Sequence, residues 1–220
     1  KQIRQGLLLG FGSLACVALL ALAAGARTVQ HDQTISAFWR HLGNAGLAAV
    51  LVAVLEELFF RGALFGALRK TWPWPLALLG SSGVYALLHF FERPAPPDSV
   101  NWASGLVVLA QMARGFGELD KLVPGFLNLS LAGCILGLSY QLSGTLYFSI
   151  GLHAGWIFWL KSYGFLTHES AGAQVWFWGS AKLVDGWSAF VILSLVILIL
   201  WRKGPAPSRW NVTSKDNSPL

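Results

Sequence analysis

The sequence predicts an all-α fold, a polytopic membrane helix bundle, and composition is the first reason. Hydrophobic residues make up 55% of the 220 residues and charged residues only 12%, whereas soluble domains typically contain about 25% charged residues. The hydrophobic residues form repeated runs that approach the roughly 20 residues of a membrane-spanning helix. Several of the 11 tryptophans, including Trp39, Trp72 and Trp201, lie near the ends of these runs, as expected for aromatic belts at the membrane surfaces.

Seven apolar runs follow one another along the chain and give the expected helices. The runs cover residues 7–24, 42–68, 75–91, 102–113, 122–140, 145–160 and 187–201. The first, second, fifth and sixth have or approach spanning length, whereas the fourth is short enough for a re-entrant or interfacial helix. The aromatic segment 174–180 is expected at the membrane surface. We therefore expect about six to eight transmembrane or re-entrant helices.

These runs are expected to form one unit. Residues 1–203 show no internal repeat and no second domain, so we expect a single integral membrane domain there. The first run follows a basic start, as in a signal peptide, but its length and the later runs favour a first transmembrane helix. Residues 204–220 are polar, contain proline and are expected to be disordered. Lys and Arg are nearly balanced between alternating loops, so they do not indicate the orientation.

The net charge of +6 does not indicate a nucleic-acid partner. The basic residues lie between the apolar runs, without a basic stripe in which aromatic residues are interleaved. Topology signals and contact with the lipid bilayer explain their positions better. Cys16 and Cys134 lie inside apolar runs and are expected to be small buried hydrophobic residues rather than a disulfide or a metal pair.

Ionisable side chains inside the apolar runs are costly in a membrane and therefore mark candidate functional sites. They are Glu56, Glu57, Arg61, His89 and His153, with Gln111 and Asn128 as neutral polar additions. The sequence contains no H-E-x-x-H zinc motif, no G-x-S-x-G nucleophile motif and no P-loop.

Helical geometry separates the two neighbouring carboxylates. Glu57 and Arg61 are four residues apart, so they share a helix face and can form an ion pair that lowers the cost of burying both charges. Glu56 points about 100 degrees away from Glu57, has no partner on its own helix and is therefore the candidate general base. In the alternative interpretation all three charges lie at a helix end and reach water, but their apolar flanks weigh against it.

The two histidines make this set of residues more specific. His89 ends one apolar run, and His153 lies inside another between Gly151 and Gly155, whose small size would let helices approach closely. A single histidine in an apolar helix is usually structural. Two histidines with an unpaired glutamate can activate a water molecule, or can bind a divalent metal such as zinc. Both alternatives stay open at this point.

Three short segments resemble the motifs of a known family. Residues 56–61, EELFFR, resemble the E-E-x-x-x-R motif of the CAAX-type prenyl endopeptidases, in the CPBP superfamily of intramembrane proteases. Residues 85–89, YALLH, are similar to the F-x-x-x-H motif, with Tyr85 in place of phenylalanine in an aromatic packing role. Residues 153–157, HAGWI, are similar to the third motif, H-x-x-x-N, with Ile157 in place of the polar residue.

The resemblance covers residues 42–160 and implies a mechanism. In it, Glu56 and His89 activate water for attack on a peptide carbonyl, and His153 stabilises the oxyanion together with an asparagine. Glu57 and Arg61 form a supporting ion pair. Because Ile157 lacks the polar group, Asn128 is the nearest substitute donor, unless it makes a helix–helix hydrogen bond instead. The family has been described both as metal-dependent and as glutamate-type, so no metal is assigned.

The function expected from these residues is that of an intramembrane endopeptidase acting on a peptide or protein substrate. We expect a multi-pass protein of a cell membrane, the bacterial inner membrane. Ile157 favours the alternative of a non-proteolytic binding, immunity or scaffold protein with the same fold. A small transporter or proton relay is a third hypothesis, and the lack of an inverted repeat weighs against it.

Overall fold

The computed structural model of the protein describes residues 1–96, 99–117 and 119–202, apart from the side chains of 119–121. The tail expected to be disordered, 204–220, lies outside the described residues.

Helices form at each of the apolar runs. They are α1 (Gln2–Ala23), α2 (Ile35–Glu57), a π-helical segment (Leu58–Phe65), α3 (Gly66–Leu68), α4 (Trp74–Leu88), α5 (Ser104–Met112), a 3-10 turn (Ala113–Gly117), α6 (Leu119–Ser143), α7 (Leu146–Leu166), α8 (Val175–Trp178) and α9 (Trp187–Arg202). Local signals explain some boundaries. The hydroxyl of Thr34 accepts a hydrogen bond from the amide of Ala37 and begins α2. A proline lies in the first turn of α4, where it costs no helical hydrogen bond.

The expectation of an all-α fold was incomplete, because the chain also contains a short antiparallel strand pair. It joins β1 (Arg27–Val29) to β2 (Thr167–Glu169), which follow α1 and α7. The side chain of Arg27 reinforces the pair by donating to the hydroxyl and the carbonyl of Thr167. Strands of three residues have no readable alternation, so the pairing follows from the position of the two helices and not from a local pattern.

Close backbone contact between α1 and α7 forms the centre of the bundle. A Cβ on Gly6, Gly10, Gly151 or Gly155 would collide with the backbone of the opposite helix. Each helix therefore presents a G-x-x-x-G face, which lets two helix backbones touch. The expected close approach at Gly151 and Gly155 is confirmed. Around this contact, α1, α6, α7 and α9 enclose the largest apolar core.

Two further helix pairs place the ends of α2 and α4 beside α7. Ala49 and Ala53 of α2 pack against Ala154 and Ile157 of α7, as two helices that run in opposite directions. Helix α4 packs on α6, where Gly133 lies directly against Ser82. The last residues of α2 and α4 therefore meet α7 one to two turns after its start.

Within the described residues, two helices are long and apolar enough to cross a membrane, namely Gln2–Ala23 and Leu122–Ser143. Two shorter apolar helices, Trp74–Leu88 and Trp187–Arg202, accompany them. The fold is therefore nearly all-α, and two of its described helices have the length and apolar composition to cross a membrane.

Candidate active site

The ion pair predicted between Glu57 and Arg61 is present and buried. Glu57 ends α2 with a fully buried side chain, and the side chain of Arg61 is 3% exposed. Nη1 of Arg61 donates to Oε1 of Glu57 at 2.9 Å, and Nη2 donates to the carbonyl of Gly133 on α6 at 3.1 Å. The alternative in which these two charges reach water is therefore wrong. Each buried charge instead has a hydrogen-bonded partner.

His153 of α7 joins this pair. Its Nδ1 lies 2.9 Å from Oε1 of Glu57, and since a carboxylate only accepts, Nδ1 carries the hydrogen. The ring is thereby held in one orientation, as a carboxylate holds the imidazole of a catalytic triad. Its other nitrogen, Nε2, lies 3.8 Å from Oε2 of Glu56.

His89 approaches the same carboxylate from α4. Its Nδ1 donates to the carbonyl oxygen of Tyr85 at 2.8 Å, because a carbonyl also only accepts. Its Nε2 lies 3.9 Å from Oε2 of Glu56, and its side chain is 32% exposed. Both histidines therefore turn Nε2 toward Glu56 and commit Nδ1 elsewhere.

Glu56 lies between the two imidazoles. Its Oε2 is buried and accepts no hydrogen bond, although the side chain as a whole is 28% exposed. Glu56 thus has no partner on its own helix, as the sequence predicts, and its neighbours come from α4 and α7. Separations of this length exceed a hydrogen bond, and catalytic contacts commonly shorten only when substrate binds.

A π-helical segment begins directly after the two glutamates, and sequence reasoning missed it. Leu58–Phe65 carries Arg61 and links α2 to α3. Such segments are rare and occur frequently at functional sites. No residue in LFFRGALF distinguishes a π-helix from an α-helix, so the sequence offered no signal.

The hydroxyl of Tyr85 is a second feature that sequence reasoning missed, because in the sequence analysis this residue has an aromatic packing role alone. Its ring does pack edge-on against Phe60 and lies 4.7 Å from the guanidinium carbon of Arg61. Its hydroxyl, however, lies 3.4 Å from Nε2 of His153. The signal was available in the sequence, since Tyr85 adds one hydroxyl at a motif position otherwise filled by phenylalanine.

Asn128 and Ile157 point away from the candidate chemistry. The amide nitrogen of Asn128 donates to the carbonyls of Val184 and Gly186, at 2.8 and 2.9 Å, just before α9. These contacts favour its structural alternative. Ile157 is buried in the apolar cluster between α2 and α7, so it adds no polar group beside His153.

The structure gives no support for assigning a metal to the candidate ligands. Across the part of the chain that the structure describes, no group of three or more His, Cys, Asp or Glu side chains is placed to hold a metal ion. Glu56, His89 and His153 are included in that statement, so the chemistry proposed below contains no step through a metal.

Comparison with known proteins supports the resemblance in the motifs. The model of one protein family, the Rce1-like type II CAAX prenyl endopeptidases, matches residues 37–159. The match covers more than half of the chain and includes every ionisable residue of the site. The chain therefore belongs to this family, whose members are membrane-associated proteases. No curated protein and no solved structure matches the chain.

Proposed function

We propose that the protein is an intramembrane endopeptidase that hydrolyses a peptide bond in a peptide or protein substrate. The carrying observation is the position of Glu56, whose carboxylate lies within 3.9 Å of Nε2 of both His89 and His153. These side chains come from α2, α4 and α7, and family membership supports the same class of reaction. Ionisable groups gathered in apolar helices are functional candidates by default.

The same proposal includes the membrane. Residues 1–203 form one multi-pass bundle of about six to eight spanning or re-entrant helices, in the bacterial inner membrane. The two long and the two shorter apolar helices support this. The lipid bilayer is then a direct partner of the exposed apolar side chains on α2, such as Leu55 and Val50.

The arrangement of the groups supports the following route to hydrolysis. A water molecule at the exposed part of Glu56 gives a proton to the carboxylate, while its oxygen forms a bond to the peptide carbonyl carbon. The carbonyl oxygen becomes an oxyanion, which a protonated His153 stabilises. When the oxyanion collapses, the carbon–nitrogen bond breaks and the amine leaves with the proton from Glu56. The products are a carboxylic acid and an amine.

Charge balance supports a proton on one of the imidazoles. Glu56, Glu57 and Arg61 carry two negative charges and one positive charge when ionised. An uncompensated charge in an apolar bundle is costly, and one added proton neutralises the group. Since both Nδ1 atoms already donate, this proton would occupy an Nε2 that faces Glu56. His89, which is more exposed than His153, is placed to exchange it with water.

The test is cleavage by the purified protein in liposomes. The probes are a quenched fluorescent peptide that ends in a prenylated C-a-a-X sequence, and its unprenylated twin. We expect the wild type to cleave a probe and Glu56→Gln to lose cleavage. The matched control, Glu169→Gln, makes the same chemical change on β2 and should cleave normally. Equal rates for Glu56→Gln and the wild type, or no cleavage of either probe by the wild type, contradict the proposal.

A second candidate function is that of a non-proteolytic binding, immunity or scaffold protein. The observation in its favour is Ile157, which is apolar and buried one turn after His153. If deletion of the protein has a phenotype that Glu56→Gln rescues fully, this second function is supported and proteolysis is contradicted.

A further inference from the structure

Tyr85 contacts both histidines of the site and the arginine. Its hydroxyl lies 3.4 Å from Nε2 of His153, and its carbonyl oxygen accepts from Nδ1 of His89 at 2.8 Å. Its ring lies under the guanidinium of Arg61, which itself binds Glu57. Glu57 in turn binds His153, so these contacts close into a ring of four side chains.

We propose that Tyr85 is a positioning residue whose hydroxyl holds His153 in both of its protonation states. The inference rests on the proposed hydrolysis, in which a protonated His153 stabilises the oxyanion, so the hydroxyl has to serve the charged ring as well as the neutral one. A neutral ring with its hydrogen on Nδ1 presents a lone pair at Nε2, to which the hydroxyl donates. A protonated ring donates from Nε2, and the phenolic oxygen accepts this hydrogen bond until the oxyanion forms and takes it over. A hydroxyl serves both cases because only its hydrogen has to rotate.

Nothing else in the surroundings takes this role. In the regions that the structure describes, Tyr85 supplies the one hydrogen bond to Nε2 of His153. Oε2 of Glu56 lies beyond hydrogen-bond range at 3.8 Å. Ile157 is apolar, and the amide of Asn128 is committed to the backbone before α9.

The hydroxyl is also held in place by its own packing. Tyr85 is 3% exposed, and its ring centroid lies 5.0 Å from that of Phe60, nearly perpendicular to it. The contact with Arg61 is a cation–π interaction, and Arg61 is anchored on both sides. A tyrosine fixed in this way presents its oxygen to His153 without further loss of side-chain freedom.

The first test is the kinetics of Tyr85→Phe, which removes one oxygen and keeps the ring. We expect kcat to fall roughly tenfold with KM unchanged, as for the loss of one hydrogen bond to a group that is charged during the reaction. Tyr140→Phe is the matched control, because Tyr140 packs on Phe65 and should keep wild-type kcat. A wild-type kcat in Tyr85→Phe overturns the proposal.

The second test needs no substrate. In ¹⁵N-histidine-labelled protein in detergent micelles, Tyr85→Phe should shift the Nε2 resonance of His153, whereas Tyr140→Phe should not. His153→Gln assigns the resonance among the five histidines. An unchanged resonance in Tyr85→Phe overturns the positioning role, even if kcat falls. If the wild type cleaves no probe, the proposed function fails while this measurement still decides the role of Tyr85.

Discussion

Two neighbouring halves of the site use the same residue types in opposite ways. The inner cluster, Glu57, Arg61 and His153, has contacts of 2.9 Å and side chains that are at most 5% exposed. The outer cluster consists of Glu56 and His89, whose Oε2 and Nε2 atoms lie 3.9 Å apart. Their side chains are 28% and 32% exposed, respectively. The two glutamates are adjacent in sequence, so a rotation of about 100 degrees on the helix separates a buried, ion-paired carboxylate from a partly exposed one without an ion-pair partner on its helix.

The difference lies in how firmly each carboxylate is held and how far it is exposed. In the inner cluster, Oε1 of Glu57 accepts from both Arg61 and His153, so loss of Arg61 leaves a buried charge uncompensated. Within the described part of the chain, Oε2 accepts no hydrogen bond in either glutamate, but Glu56 is in addition 28% exposed and has no contact as short as those of Glu57. The Glu57–Arg61 pair of the inner cluster should therefore control stability, the outer cluster should control chemistry, and His153 should contribute to both.

The largest expected effect is the loss of the inner cation. Arg61→Met leaves the fully buried Glu57 without its ion-pair partner and should lower the free energy of unfolding by about 3–5 kcal/mol. Denaturant titration of the protein in detergent micelles measures this. A free energy of unfolding within roughly 1 kcal/mol of wild type, about the size of a single hydrogen bond, would show that the Glu57–Arg61 ion pair does not stabilise the fold.

Glu56→Gln should have its effect on the rate instead. Loss of a general base typically lowers kcat by about 10²- to 10⁴-fold, while the free energy of unfolding should change by less than about 0.5 kcal/mol. Peptide cleavage and denaturant titration on the same preparation measure both quantities. A variant that unfolds as readily as Arg61→Met would remove the distinction between the clusters.

A double variant should recover part of the lost stability. Glu57→Gln combined with Arg61→Met removes both charges, while the amide oxygen still accepts from His153. We expect it to be more stable than Arg61→Met alone by about 1–3 kcal/mol, the usual size of coupling between contacting residues. If the losses of stability in the two single variants simply add up in the double variant, or the double variant is less stable still, the two charges do not stabilise each other.

The smallest effects should distinguish the two histidines. His153→Gln disturbs a buried contact to Glu57 and should cost about 1–3 kcal/mol of stability. His89→Gln changes a part-exposed side chain and should cost less than about 0.5 kcal/mol. Thermal unfolding of both variants in the same detergent measures the two losses of stability. Equal losses would contradict the assignment of His153 to the inner cluster and His89 to the outer cluster.

Local rules were sufficient for the helices and for one contact of the site. The apolar runs became helices because length and composition decide this without tertiary information. The Glu57–Arg61 contact followed from spacing on one helix. The approach of His89 and His153 to Glu56 joins separate elements. The sequence grouped the three as ionisable residues of the apolar runs, and the resemblance to the family gave them one mechanism.

The features that sequence reasoning missed depend on distant partners. The hydroxyl of Tyr85 matters because α7 places His153 beside α4. The β1–β2 pair forms because α1 and α7 end side by side. The π-helical segment has no composition that separates it from an α-helix. For Tyr85 and the strand pair the cause is tertiary packing, which a single sequence does not encode locally.

The glycine contact between α1 and α7 also decides which side of the site can move. The glycines there leave no room even for a Cβ, so we expect α7 to shift little against α1 and His153 to keep its place. Glu56 lies on α2, which meets α7 through small side chains such as Ala49 and Ala53. We therefore expect the gap between Oε2 of Glu56 and Nε2 of His153 to close by movement of the carboxylate, while the imidazole keeps its position.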